Sequence, residues 1–210
     1  VIIQGQIGAL ATTASLAAGF NPNIRLGNMG DMVVSELHGR YYEGSYRRAR
    51  YNIASPSGVT TSVGAATTYV GLCLSNPINA PVNLVLEKVG LGFLVVWGAA
   101  ATLGLMCGFN SGTNVTHTTP LSPLSNLIGS GAAPYGKVDS SATLPTAPVL
   151  THVFGAGLTG AITVQTAELS FFDLEGSVIL APGAYAAIYT STASGTNSFF
   201  GSLSWEEVPL

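Results

Sequence analysis

Residues 89–109 read VGLGFLVVWGAAATLGLMCGF, 21 positions without a charge. A membrane-spanning helix needs about that many apolar residues, so the fold turns on how this stretch is read. Glycines interrupt it at positions 90, 92, 98, 104 and 108, and the approach, NLVLEKV, alternates as a strand does. No basic loop beside it would fix an orientation in a bilayer. Two buried β-strands joined near Gly98 account for all of these features, and no membrane partner is expected.

The flanks agree. Upstream, TTYVGLCL is rich in β-branched and aromatic residues and stops at the turn cluster SNPINAP. Downstream, ATLGLMCGF ends at NSGTN, and residues 110–148 are rich in Pro, Ser and Gly, which predicts a long loop insertion. VLTHVFGA follows, then AITVQTAELSFFDLEG with Ile162, Val164, Leu169 and Phe171 at period two. SVILAPGAYAAIYTST and SFFGSLSWEEV complete the series, with Pro182 and Gly183 marking a turn. No helical stripe is sustained, residues 32–43 are a weak helix candidate, and no internal repeat is visible.

About eight strands with irregular loops predict an all-β chain. The expected architecture is an antiparallel β-sandwich of jelly-roll type over residues 36–210, formed as a single domain. Residues 1–35 are rich in Gly, Ala, Thr and Asn, with no period and too few charges for a solvated tail. They are expected to form an extended N-terminal arm. The start also lacks the basic n-region of a secretion signal.

Charged residues make up 8% of the chain, against roughly 25% in an ordinary soluble domain. A freely dispersed monomer usually carries more, so other subunits are expected to cover much of the surface. The formal charge is −3, and outside residues 36–51 three basic residues face eight acidic ones. That balance cannot make a phosphate-tracking stripe, so nucleic acid is not the expected partner.

Within 36–51, ELHGRYYEGSYRRARY, Arg40, Arg47, Arg48 and Arg50 interleave with Tyr41, Tyr42, Tyr46 and Tyr51. Arginine with stacking aromatics suits RNA, but Glu36 and Glu43 reduce the window to a net +2. Interface cores favour Tyr and Arg, so these eight residues are read as a protein-docking surface, able to pair with acids such as Glu206 or Glu207 of another copy. An intramolecular ion-pair and stacking role is the competing reading.

Chemical motifs are weak. GAGLTG at 155–160 satisfies G-x-G-x-x-G, but a nucleotide site needs a helix next, and AITVQT is strand-like. It reads as a hairpin loop, and no cofactor is expected. His38, His117 and His152 are far apart and match no metal pattern. No G-x-S-x-G elbow exists, and a Ser–His–Asp set assembled in space has no specific support. Glu206 and Glu207 should point to opposite faces of a strand, and Asp173 with Glu175 sits at a turn. Cys73 and Cys107 lie in apolar runs and read as buried free thiols, with a disulfide as the alternative. Asn114-Val115-Thr116 is a sequon read as accidental.

Two stretches carry a resemblance. ELHGRYYEGSYRRARYNIASPSGVTTSVGAATTYVGLCLSNP with NLVLEKV, and VILAPGAYAAIYTSTA with FFGSLSWEEVP, resemble structural proteins of tailed bacteriophages. The resemblance implies a virion component with a β-sandwich, a trimeric decoration (cement) protein on the capsid surface that binds the major capsid protein. It implies no catalytic residues, synthesis in the host cytoplasm, and a tail or fibre component binding host glycan as the alternative.

Overall fold

A computed structural model of the chain describes residues 39–95, 97–157 and 169–210. The chain divides into Val1–Tyr41 and Tyr42–Leu210, a boundary later than the one expected after residue 35. The expected arm and most of the helix candidate at 32–43 lie outside the described residues.

The second unit begins with a short helix, α1 (Tyr42–Tyr46), followed by strands β1 (Arg50–Ala54), β2 (Thr68–Ser75), β3 (Val82–Phe93) and β4 (Ala101–Phe109). Then come β5 (Thr116–Leu121), β6 (Leu124–Ser125), β7 (Lys137–Thr143) and β8 (Val149–Gly157). β9 (Leu169–Leu180), β10 (Ala184–Thr190) and β11 (Phe199–Pro209) end the chain. They form two open antiparallel sheets, one ordered β6-β1-β11-β3-β9 and the other β5-β7-β2-β10-β4-β8.

The uncharged stretch at 89–109 is thus the end of β3 and all of β4, with Gly98 in the connection between them. The two strands lie in different sheets. No helix among the described residues is long and apolar enough to cross a membrane.

One hydrophobic core draws on both sheets. Leu84, Leu86, Val89, Leu91, Leu203 and Trp205 of the first sheet meet Leu72, Leu74, Leu103, Leu105 and Ile188 of the second. A separate buried cluster joins Tyr69, Cys73, Met106, Tyr185 and Ala187 with Val115 and Leu144. Neighbours such as Leu105 and Met106, or Ala186 and Ala187, therefore fall into different clusters, because successive strand residues face opposite sides. A strand buried on both faces shows no polar alternation, which is why β4 resembles a membrane segment.

Residues 110–148 depart from expectation. They hold β5, β6 and β7 rather than one irregular insertion, which raises the strand count to eleven among the described residues. The sequence hid them for physical reasons. β5 is an edge strand exposed along most of its length and so has no apolar period, while β7 buries the polar residues Asp139 and Ser140. Pro120 is tolerated in β5 because an edge strand has a free side.

The turn at 181–185 forms as expected: Gly183 has φ 88° and β10 starts at the next residue. A Cβ there would also lie 2.5 Å from the Asn110 carbonyl oxygen. Glu175 lies in a bulge of β9 that begins just after Asp173, and Asp173 Oδ1 accepts the Glu175 N–H at 2.9 Å. Gly155 and Gly157 belong to β8, and the rest of GAGLTG lies outside the described residues. β8 and β9 belong to different sheets, so the pairing expected of a hairpin is not made between them.

Candidate functional site

The arginine–tyrosine window divides three ways. Arg40 and Tyr41 belong to the first unit, where the guanidinium sits 5.3 Å from the centre of the Tyr41 ring. In α1, residues four apart share a face, so Tyr42 stacks on Tyr46 with ring centres 5.9 Å apart and Arg47 Nε donates to Glu43 at 2.6 Å. Arg48 has φ 62°, a left-handed residue closing the helix, and its N–H donates to the Ser45 carbonyl. Tyr42, Tyr46, Arg47 and Arg48 are all exposed.

Arg50 and Tyr51 correct the expectation. They enter β1 and are each 4% exposed, so both serve the fold of their own chain rather than a partner. Arg50 forms a buried ion pair with Glu87, the extra residue in a bulge of β3. Tyr51 stacks on Trp205, ring centres 5.9 Å apart, and donates to the Ala133 carbonyl. Burial, reinforced by the Glu207 carboxylate, raises the Tyr51 phenol above its usual pKa. Helix α1 comes close enough that a Cβ on Gly44 would lie 2.8 Å from Arg50 Cδ and 3.0 Å from Glu206 Oε1. The exposed half of the window is therefore mounted directly on its buried half.

The acids expected to pair across copies are placed within the chain. Glu206 stands opposite Arg50 in the β1–β11 register. Glu207 is buried and accepts the Gly136 N–H at 2.9 Å, the Tyr135 N–H at 3.1 Å and the Trp205 indole N–H at 3.4 Å. The two do not converge, since neighbours in β11 face opposite ways. Glu87 was the partner missed; its place as the one acid in the alternation of NLVLEKV is the signal that could have shown it.

The structure also assembles a pair that sequence distance concealed. His117 Nδ1 lies 2.6 Å from Asp139 Oδ2, across the β5–β7 ladder. Asp139 is completely buried and its Oδ1 has no hydrogen-bond partner. Burial raises its pKa, and the hydrogen bond and charge of His117 oppose that rise. His117 lines a cavity of about 170 Å³ together with Ser75, Asn76, Asn114 and Lys137. Among the described residues no serine, threonine or cysteine hydrogen-bonds its ring.

His152 sits beside Thr151, and His38 lies outside the described residues. Among the described residues no three His, Cys, Asp or Glu side chains gather as a metal site. Both cysteines are free; Cys73 is buried, and burial pushes its thiol far above the usual pKa. Compared with known proteins, the chain matches no family model, no curated protein and no solved structure.

Proposed function

We propose that this chain is a non-enzymatic bacteriophage virion protein, a capsid decoration (cement) protein that binds the assembled shell and stabilises it. The observation that carries this reading is the exposed surface of Tyr42, Tyr46, Arg47 and Arg48, fixed on a rigid two-sheet body in a chain with 8% charged residues. Tyrosine and arginine supply large contact area with directional polar tips, as interface centres require. A protein that binds the assembled shell and not its free subunits stabilises that shell by mass action. The partners of this reading are the major capsid protein and further copies of the chain in a closed trimer on the capsid surface. Synthesis is in the bacterial host cytoplasm.

Strand order supports a jelly-roll lineage. With β5, β6 and β7 set aside, the sheets run β1-β11-β3-β9 and β2-β10-β4-β8. Late strands thus return between early ones in both sheets, the order produced by two Greek keys. The sheet edges favour assembly through faces and the α1 surface rather than through strand pairing. β5 contains Pro120, β6 has 2 residues, and β8 and β9 both bulge. Such features blunt an edge against a further strand. The alternative, a tail or fibre component binding host glycan, would be favoured by an exposed tryptophan, but Trp97 and Trp205 are 6% and 0% exposed.

The test compares virions made with and without the protein. Fixed stoichiometry on purified particles, and earlier shell rupture on heating without it, are expected. Particles that resist heat and low salt equally well in its absence would remove the cement role. Electron microscopy of the particle would separate head from tail.

A further inference from the structure

We propose that the cavity beside β5 and β7 binds a small oxyanion, a carboxylate or a phosphate group, through His117, Lys137 and Asn114. The cavity, about 170 Å³, has room for such a group and accompanying water. Its lining includes Ser75 and Asn76, 4% and 2% exposed, so the recess is built from packed polar side chains rather than surface ones alone.

The three named residues have donors to offer because their other ends are occupied or cannot accept. The Asn114 carboxamide oxygen accepts the Ile78 N–H at 2.9 Å, which leaves its NH₂ as the free end. His117 spends Nδ1 on Asp139 and keeps Nε2 available. Lys137 carries only donors and forms no ion pair with a described carboxylate. No carboxylate among the described residues lines the cavity; Asp139 is completely buried and engaged by the imidazole. Two of the chain's few basic or protonatable side chains thus share one small recess in a protein of net charge −3. A ligand that only accepts, with charge-assisted bonds to at least one cation, is the complement.

The geometry also links binding to a proton. With Asp139 ionised, Nδ1–H donates to it, and a neutral ring presents a lone pair at Nε2. An oxyanion meets a donor there only after the ring takes one proton from solvent. Among the described titratable groups, Asp139 of β7 binds the ring, Lys137 of β7 lines the same cavity, and Cys73 of β2 stands opposite Asp139. Burial keeps the Cys73 thiol neutral. Asp139 is a positioning residue: it holds the ring without touching the ligand. This inference is independent of the virion reading, and either can fail alone.

The test is an NMR titration of the full chain, labelled at the histidine ring nitrogens, with sodium phosphate or sodium acetate at constant ionic strength and sodium chloride as control. His117 signals should shift saturably with at least one of the two, while His152 stays unmoved. Affinity should be greater at lower pH, where Nε2 carries a hydrogen to donate. Lys137→Ala should weaken binding about tenfold. Asp139→Asn should displace the pH profile toward acid, a change that a purely structural residue would not produce. If that buried variant fails to fold, Lys137→Ala and Asn114→Ala, at exposed positions, carry the test. Saturation by phosphate alone assigns a phosphoryl ligand, and by acetate alone a carboxylate. Equal shifts with chloride, or no saturation by either anion below about 10 mM, would overturn the proposal.

Discussion

Arg47 and Arg50 are near neighbours, and each faces a glutamate, yet the two pairs belong to different physical regimes. Arg47 and Glu43 keep 72% and 65% of their side-chain surface exposed, whereas Arg50 and Glu87 keep 4% and 9%. Water screens the first pair and competes for its hydrogen bonds, so its net worth is a few tenths of a kcal/mol, about 0.3. The second pair has lost most of its hydration, so water neither screens it nor competes for its hydrogen bond. The same chemistry is optional on α1 and obligatory in β1. That difference is what separates a surface available to a partner from a strand that holds the fold.

The largest expected effect breaks the buried pair. Glu87→Gln removes the carboxylate of this buried pair while the guanidinium stays buried, and should cost about 3–5 kcal/mol in urea unfolding. Replacing both, Arg50→Met with Glu87→Leu, should cost far less, because the desolvation penalty goes with the charges. A single-variant loss below about 1 kcal/mol would contradict the burial on which the contrast rests.

The tyrosines extend the same comparison. Tyr51→Ala empties the place against Trp205 and should cost about 3 kcal/mol, as large-to-small changes in cores do. Tyr46→Ala, on the exposed helix, should stay within about 0.5 kcal/mol. Similar losses at both positions would erase the distinction between the two halves of the window.

Asp139 sharpens it through pH. Its folded pKa lies above the ordinary carboxylate value, so the folded chain holds that proton more tightly than the unfolded one. The stability it contributes is complete below the unfolded pKa and declines as pH rises through the folded one. The difference in urea midpoint between wild type and Asp139→Asn should therefore fall as pH climbs through that window. A difference that grows instead would show that the charge and hydrogen bond of His117 outweigh burial.

The smallest effect on stability belongs to the surface. Glu43→Gln should change unfolding by about 0.3 kcal/mol, less at high salt. Arg47→Ala with Arg48→Ala should leave melting unchanged while weakening self-assembly or shell binding. Unchanged assembly in that double variant would reduce α1 to ordinary surface.

Much of the strand framework was legible from local pattern. TTYVGLCL, the uncharged stretch at 89–109 and SFFGSLSWEEV became β2, the β3–β4 pair and β11. β-branched and aromatic runs between turn signals identify strands wherever one or both faces are apolar. β5 and β7 escaped because that condition fails in them: one is exposed along most of its length, and the other buries Asp139 and Ser140. Losing β7 also hid the His117–Asp139 pair, since an acid in a presumed loop gives no reason to look for a histidine 22 positions away.

The sequence by itself determined which residue types were available, that the chain is all-β, where several strands run, and that charge is scarce and concentrated near residue 50. It could not assign fates to those charges. Packing decided that Arg50 disappears beneath α1 while Arg47 stays in water, and that Asp139 meets His117. Strand propensity is set by near neighbours along the chain. Burial is set by whatever the other sheet, helix or ladder brings against a residue, and so it exists only once distant segments have come together.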